Sequence, residues 1–465
     1  MYASENRIAV KELVSLLRKT WRVWWDEDIT QGNWDETVQK ALQNTKAVIP
    51  VFSRYSIKKN VFVDEVHLAQ KNGCLIFPFF IDDVDPLLGF GRLHRTNAFG
   101  WDGDENHPGY QLLRKKIATE LELKRATVLK LQNKILKLPC FIFSLSSFET
   151  QLHPQDGLKL FKYYNPAALL ISSYDVKNND NRDFLHLVNE VRESSTVLFL
   201  DSGNYEADHK NDRFSEINKN GWRNEYYIDT VKKILPDIAF AFDDTNPEGD
   251  LDQVAEKIIK CFQKDEKSIQ IRDSLLCPIV HLPKKADGMY DVESAPELIV
   301  KVTAALDPIM VAIPERELGN GIISRFKTIQ NIRRRLNELG NYYPLHLLGA
   351  GNPLSIMAFA VAGADSFDGL EWCRTVADYD KGYLFHFSHF DCFKDQYLSR
   401  LRSSEIRKII SDSKASYTVQ VISYNFDFFN DWLKTIQDLI LTGQEEYLLK
   451  NIPYIGNSLL KELEK

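Results

Sequence analysis

Three apolar runs in this chain end in an acid. Val197-Leu198-Phe199-Leu200 leads into Asp201, Ile238-Ala239-Phe240-Ala241-Phe242 into Asp243, and Ala364-Asp365-Ser366-Phe367 into Asp368. A single carboxylate beyond a strand is ordinarily a helix cap or a turn former. Three of them in one parallel barrel would converge on its C-terminal mouth, where the catalytic groups of such barrels sit. Grouped carboxylates raise one another's pKa, so one can act as nucleophile while another serves as acid or base. A further acid, Glu65, follows the loop that opens with Ser53-Arg54-Tyr55 after Val51-Phe52. Loops past the C-terminal ends of parallel strands are where open α/β sheets bind ligands. Glu65 lies four residues before Ala69, so the two share a helix face and Glu65 can point back towards that loop.

The elements that must carry these acids follow from hydrophobic periodicity. A helix is expected over residues 7–19, with Ala9, Leu13, Leu16 and Leu17 on one face. Strands are expected at 22–25, 47–52 and 75–80, and Asn33 with Glu36 three residues on reads as a helix start. Such alternation implies a parallel sheet covered by helices. Residues 121–136 are charged and leucine-bearing, which predicts a helical linker. Eight β-rich runs then follow, at 140–144, 168–172, 197–200, 238–242, 278–281, 309–313, 344–348 and 364–367. The spaces between them hold a helix each, as a closed (β/α)8 barrel requires, although a doubly wound open sheet would alternate similarly. The expected division is 1–122 for the first α/β domain, 123–137 for the linker, 138–378 for the barrel and 379–465 for a mostly helical extension.

With 465 residues, 44% of them hydrophobic and 26% charged, the chain suits two or three globular domains. No apolar run approaches the roughly 20 residues that cross a bilayer, so no membrane partner is expected. Six dispersed cysteines without a Cys-x-x-Cys pair point to reduced thiols in the cytoplasm. The formal net charge of −7 argues against general nucleic-acid binding and leaves room only for a local patch. Arg114-Lys115-Lys116 and Arg333-Arg334-Arg335 read most simply as solvated helix faces. No Walker loop, Rossmann glycine fingerprint or serine-triad motif occurs.

Residues 1–120 resemble the Toll/interleukin-1 receptor (TIR) domain. That family places a strand, a Ser, an aromatic residue and then a catalytic Glu twelve residues after the Ser, and Ser53 and Glu65 keep this spacing. Trp24-Trp25-Asp26, Gly32 and Trp34 look like its second strand and following loop. The resemblance implies a flavodoxin-like parallel sheet, cleavage of NAD+ at the nicotinamide–ribose bond, Ser53, Tyr55 and Trp34 around the NAD+, and Glu65 steadying the ribose as positive charge develops. Two departures stand out. Val61-Phe62 replaces the family's Trp-Cys pair, and the opening strand is missing before Ser4.

Residues 137–375 resemble the tRNA-guanine transglycosylase superfamily. Asp201-Ser202-Gly203 is similar to its Asp-Ser-Gly-Gly-Phe block, and Phe242-Asp243-Asp244 to its Phe-Asp-Glu. His346-Leu347-Leu348-Gly349-Ala350-Gly351-Asn352-Pro353 follows its His-Leu-Leu-Gly-x-Gly-x-Pro, and Asp365-Ser366-Phe367-Asp368 its Asp-x-Phe-Asp. The resemblance implies a (β/α)8 TIM barrel with a helical tail, in which Asp368 attacks ribose C1′ and expels a purine. Asp201 would assist proton transfer. Asp243, His281, Gly349 and Gly351 would hold a purine or deazapurine base, and Arg374 would contact nucleic acid. His281 stands where the family has a base-reading amide, and Ile313-Pro314-Glu315 replaces its glycine-rich loop. His386, His389 and Cys392 stand where the family binds zinc; three ligands without a fourth imply no zinc.

Together the two resemblances imply a defence or signalling enzyme, with NAD+ cleaved in one lobe and a base recognised or exchanged in the other. They also imply homo-oligomers in the active state. Base exchange on tRNA or DNA, with the first domain as a recruiting module, is the second expectation. A non-enzymatic scaffold is the third.

Overall fold

The computed structural model describes residues 1–18, 21, 23–25, 41–42, 45–85, 95–121, 125–147, 150–179, 181–208, 221–269, 275–392, 394–450, 452 and 460. The chain forms two compact units, Met1–Lys124 and Arg125–Lys465.

In the first unit, the helix Arg7–Arg18 buries Val10, Leu13, Val14 and Leu17. The expected stripe is thus rotated, with Ala9 and Leu16 at its half-buried edge. Both apolar runs of the sheet are interrupted by proline, which has no N–H to give to a ladder. Pro50 separates β1 (Ala47–Val48) from β2 (Val51–Phe52), and Pro78 separates β3 (Leu75–Ile76) from β4 (Phe79–Phe80). The parallel pairing nevertheless runs through, because each proline still accepts through its carbonyl. Phe77 N–H donates to Val48 (2.9 Å), Phe79 N–H to Pro50 (3.0 Å) and Ile81 N–H to Phe52 (3.0 Å). The third strand, β5 (Thr96–Asn97), pairs parallel with β4.

No strand precedes β1 among the described residues, but Val51 N–H donates to the Met1 carbonyl at 3.0 Å, beside β2. Val23–Trp25, expected as strand, has no strand pairing among the described residues, and Asn33 and Trp34 lie outside them.

The second unit opens on a hairpin where a helix is expected. The expected helical linker is an antiparallel hairpin of β6 (Val128–Lys130) and β7 (Ile135–Lys137), with Leu129 opposite Leu136. Its exposed–buried–exposed alternation has period two, which leucines in so short a segment do not distinguish from a helix.

Eight parallel strands follow: β8 (Cys140–Leu145), β9 (Ala168–Ser172), β10 (Val197–Asp201), β11 (Ile238–Phe240), β12 (Leu275–Cys277), β13 (Val311–Pro314), β14 (Leu345–Leu348) and β15 (Ser366–Gly369). Neighbours in sequence are neighbours in the sheet, and β15 pairs with β8. At the remaining seam Ala312 N–H donates to Pro278 (3.0 Å) and Val280 N–H to Ala312 (2.8 Å), completing a (β/α)8 barrel. The strands are apolar on both faces because helices cover the outside and the inside is packed. Ile142, Leu170, Phe199, Phe240, Ile279 and Ala312 point inward, and Leu129 and Leu136 of the hairpin join this inner cluster.

Beneath the barrel the fully buried Asp365 accepts from Arg125 Nε (3.0 Å), Arg333 Nη2 (2.7 Å), the Tyr342 hydroxyl (2.7 Å) and Leu345 N–H (2.9 Å). After a short hairpin of β16 (Thr375–Ala377) and β17 (Leu384–His386) the chain is largely helical. The long helix Tyr417–Leu441 packs Phe429 and Phe426 on Phe141 and Phe143 of β8, at ring distances of 4.8 and 4.9 Å. Among the described residues no helix is long and apolar enough to cross a membrane.

Candidate active site

Side chains alternate across a strand, so each inward row of the barrel has a defined next member. Two residues beyond inward Ile142, Leu170, Phe199 and Ile279 come Ser144, Ser172, Asp201 and His281. The interior therefore passes from an apolar floor to a polar mouth. A cavity of about 610 Å³ opens there, lined among others by Asp201, Asp243, His281, Gly349, Asp368 and Arg374. Six residues chosen from sequence are thereby brought to one cavity.

Asp368 is held from three sides. The Ser144 hydroxyl donates to Oδ2 (2.9 Å) and Gly349 N–H to Oδ1 (3.0 Å). His346 Nε2 packs 3.3 Å from Oδ1, not aligned as a hydrogen bond. Gly349 has φ +74°, a conformation glycine adopts without strain, and this turns its N–H onto the carboxylate. His346 is fixed in turn by Ser366 Oγ at Nδ1 (2.8 Å) and by stacking on Phe240. Such fixed donors restrict the carboxylate to one orientation.

Asp201 accepts from Gly203 N–H (3.0 Å). Desolvation inside the mouth, then the charges of Glu206 and Asp243, push its pKa well above the ordinary carboxyl range. Glu206 was not singled out from sequence. It sits on the short helix Asn204–Asp208, is buried, lines the same cavity and accepts from Ser172 Oγ (2.8 Å). Burial, then the charge of Asp175, raises its pKa to about 7. Asp175 is itself buried and accepts from the N–H (2.7 Å) and the hydroxyl of Ser147. Burial thus favours the protonated forms of both acids on this wall of the cavity.

The opposite chemistry holds one strand further round. His281 Nε2 lies 2.8 Å from Asp243 Oδ2, and Nδ1 lies 2.7 Å from Oε1 of the fully buried Glu317. Burial alone would lower the pKa of this imidazole, but the two carboxylates outweigh it and raise the value to about 9. Burial likewise works against ionising Asp243, yet His281 and the donors Ser202 and Asn204 bring its pKa below the ordinary range. Asn204 Nδ2 donates to Asp243 Oδ1 at 2.8 Å.

Gly351 is placed elsewhere. It lines an adjoining recess of about 700 Å³ with Arg325, Asn352 and Tyr383, and its backbone packs against Gly369. Arg374 is exposed at the cavity rim, where Lys284 and Arg316 are the other cationic lining residues. Among the described residues no group of three or more His, Cys, Asp or Glu is arranged to hold a metal ion.

In the first unit Glu65 lies half-buried on the helix Asn60–Lys71, which begins seven residues after Ser53. Ser53 is fully buried and organises its own loop. Its hydroxyl donates to Asn6 Oδ1 (2.6 Å) and accepts from the N–H groups of Tyr55 (3.2 Å) and Ser56 (3.1 Å). Tyr55 is 44% exposed, so its ring is available to a ligand at the surface. Trp34 lies outside the described residues.

Residues 1–113 match the TIR domain family model, so the N-terminal unit is a TIR domain. No curated protein matches the chain.

Proposed function

We propose that this protein acts on N-glycosidic bonds: the barrel binds a purine-type base and transfers its ribosyl partner, and the TIR domain cleaves NAD+. The observation that carries the barrel reading is the meeting of Asp201, Asp243, His281 and Asp368 in one cavity. Asp368, oriented by Ser144 and Gly349, is the nucleophile. One of its oxygens forms a bond to ribose C1′ as the C1′–N bond breaks, and the bonding pair leaves with the base. Asp201, whose burial favours its protonated form, donates its proton to the departing base and afterwards takes one from the incoming base or water. The second group then attacks C1′ and releases Asp368.

For the TIR domain the support is the family match and the spacing of Ser53 and Glu65. Glu65 stabilises the cationic ribosyl group as nicotinamide leaves. The active form is a homo-oligomer in the cytoplasm. The cations Lys284, Arg316 and Arg374 at the barrel rim favour a second reading, exchange of a base within tRNA or DNA. Two experiments decide. Nicotinamide release from NAD+ should disappear in Glu65→Gln. A denaturation-resistant ribosyl or nucleic-acid adduct should form with the parent protein and be absent in Asp368→Asn. If neither product is seen with the parent protein under any activating condition, the enzymatic reading is wrong.

A further inference from the structure

The base-facing wall carries a row of side chains, Glu317, His281, Asp243 and Asn204, contributed by four successive strand ends. Glu317 lies in the turn Glu315–Glu317 after β13 and is fully buried, with each carboxylate oxygen assigned. Oε2 accepts from Leu282 N–H at 2.7 Å, and Oε1 meets His281 Nδ1 at 2.7 Å. With a carboxylate at each ring nitrogen, the favoured form of His281 is the imidazolium, in which Nδ1 and Nε2 both carry a proton. The second ring nitrogen faces Asp243 Oδ2 at 2.8 Å, while Asn204 donates to Asp243 Oδ1 at 2.8 Å.

We infer that Glu317 is a positioning residue for the base site: it locks the His281 ring so that both nitrogens donate, and thereby keeps Asp243 an acceptor-only group towards the ligand. The inference rests on the reading of the cavity as a base site. A ligand edge bearing N–H donors then fits Asp243, whereas an edge presenting a bare ring nitrogen meets a carboxylate lone pair. The imidazole that orders Asp243 is used up by its two carboxylates and gives no N–H to the ligand.

The other charged groups lining the same cavity are Asp201, Glu206, Asp368, Glu315 and Glu371, with Lys284, Arg316 and Arg374 as the cations. The two carboxylates in contact with the ring, Asp243 and Glu317, favour its protonated form. Glu317→Gln keeps the side chain's volume and one oxygen that can serve Nδ1, while it removes the charge and turns an amide NH2 towards Leu282 N–H, so it separates loss of the ion pair and its acceptors from loss of packing.

The test uses the full chain labelled at histidine Cε1, with the His281 resonance identified by its loss in His281→Gln. In the parent protein its titration midpoint should lie near 9, and in Glu317→Gln it should fall by about one unit or more. An unchanged midpoint overturns the role of Glu317. Equilibrium dialysis with guanine and adenine then tests the consequence at pH 8. Guanine should bind in preference to adenine, and Glu317→Gln should weaken guanine at pH 8 in proportion to the protonated fraction of His281 that is lost, by about twofold for a midpoint lowered by one unit and about tenfold for two. A shifted midpoint with unchanged guanine affinity overturns the claim that the lock serves recognition. If neither base binds the parent protein, the base-site reading fails and takes the recognition claim with it, while the titration still decides the positioning.

Discussion

Burial, and then neighbouring carboxylates, favour the protonated forms of Asp201 and Glu206, and the cost of ionising them in the fold appears in stability. Glu206 ionises near 7 in the fold but near its ordinary 4.5 when unfolded. Between these values the unfolded chain loses the proton first. The folded state is therefore undisturbed below about pH 4.5, and the stability given up is complete once pH has risen through about 7. Glu206→Gln should stabilise the barrel by about 1–3 kcal/mol at pH 8 and by little at pH 5, read from urea unfolding at both pH values. His281 has the same slope by another route. Its pKa is raised from 6.5 to about 9, so the stability it gains from Asp243 and Glu317 is full below 6.5 and lost as pH climbs through 9. His281→Gln should flatten the decline of stability between pH 7 and 9. Asp201, Asp243 and Asp368 were legible in sequence because each follows an apolar run directly. Glu206 and Glu317 were not, since each lies on a short helical turn beyond its strand, where a carboxylate ordinarily faces solvent. The available signal was a second acid close after a first: Asp201 with Glu206, Glu315 with Glu317.

At the level of elements, the barrel strands were readable because both of their faces are buried, which leaves unbroken apolar runs. The hairpin β6–β7 was misread because three-residue strands give periodicity too little length to register. The sheet of the first unit was readable in place but not in continuity, since Pro50 and Pro78 remove donors without ending the pairing. The contact between the β14 and β15 ends could not be seen from sequence at all. A Cβ on Gly369 would lie 2.7 Å from both Cα and N of Gly351, so the two loops approach backbone to backbone. Gly369→Ala should force them apart, cost about 1–3 kcal/mol and displace Asp368 one residue away. Glycosyl transfer should then fall more than base binding does. A loss of binding equal to the loss of transfer would show that the whole mouth had collapsed. The Asp365 network beneath the barrel offers the contrast. Asp365→Ala leaves Arg125 and Arg333 without their carboxylate and should cost about 3–5 kcal/mol, detected as a lowered Tm.

Across the whole molecule, charge separates the two possible sources of a base. The chain carries a formal charge of −7, and the barrel cavity is lined by Asp201, Glu206, Asp243, Glu315, Asp368 and Glu371 against Lys284, Arg316 and Arg374. A free nucleobase brings no phosphate to that acidic mouth, so its affinity should change little with salt. A polynucleotide must lay its backbone along the rim, and each cation that neutralises a phosphate releases a counterion. Single strands contribute a slope of about −0.7 per contact in log K against log salt, so three rim cations allow a slope no steeper than about −2. Arg374→Ala should reduce it by about one contact's worth and weaken all sequences alike, because a phosphate contact carries no sequence information. Filter binding of a single-stranded RNA and equilibrium dialysis of guanine, each between about 50 and 200 mM salt, separate the cases. A slope much steeper than −2 would place the nucleic acid on a cationic surface other than this rim. A slope near zero with measurable guanine affinity would assign the barrel to free bases or nucleosides, and leave Arg374 no phosphate to hold.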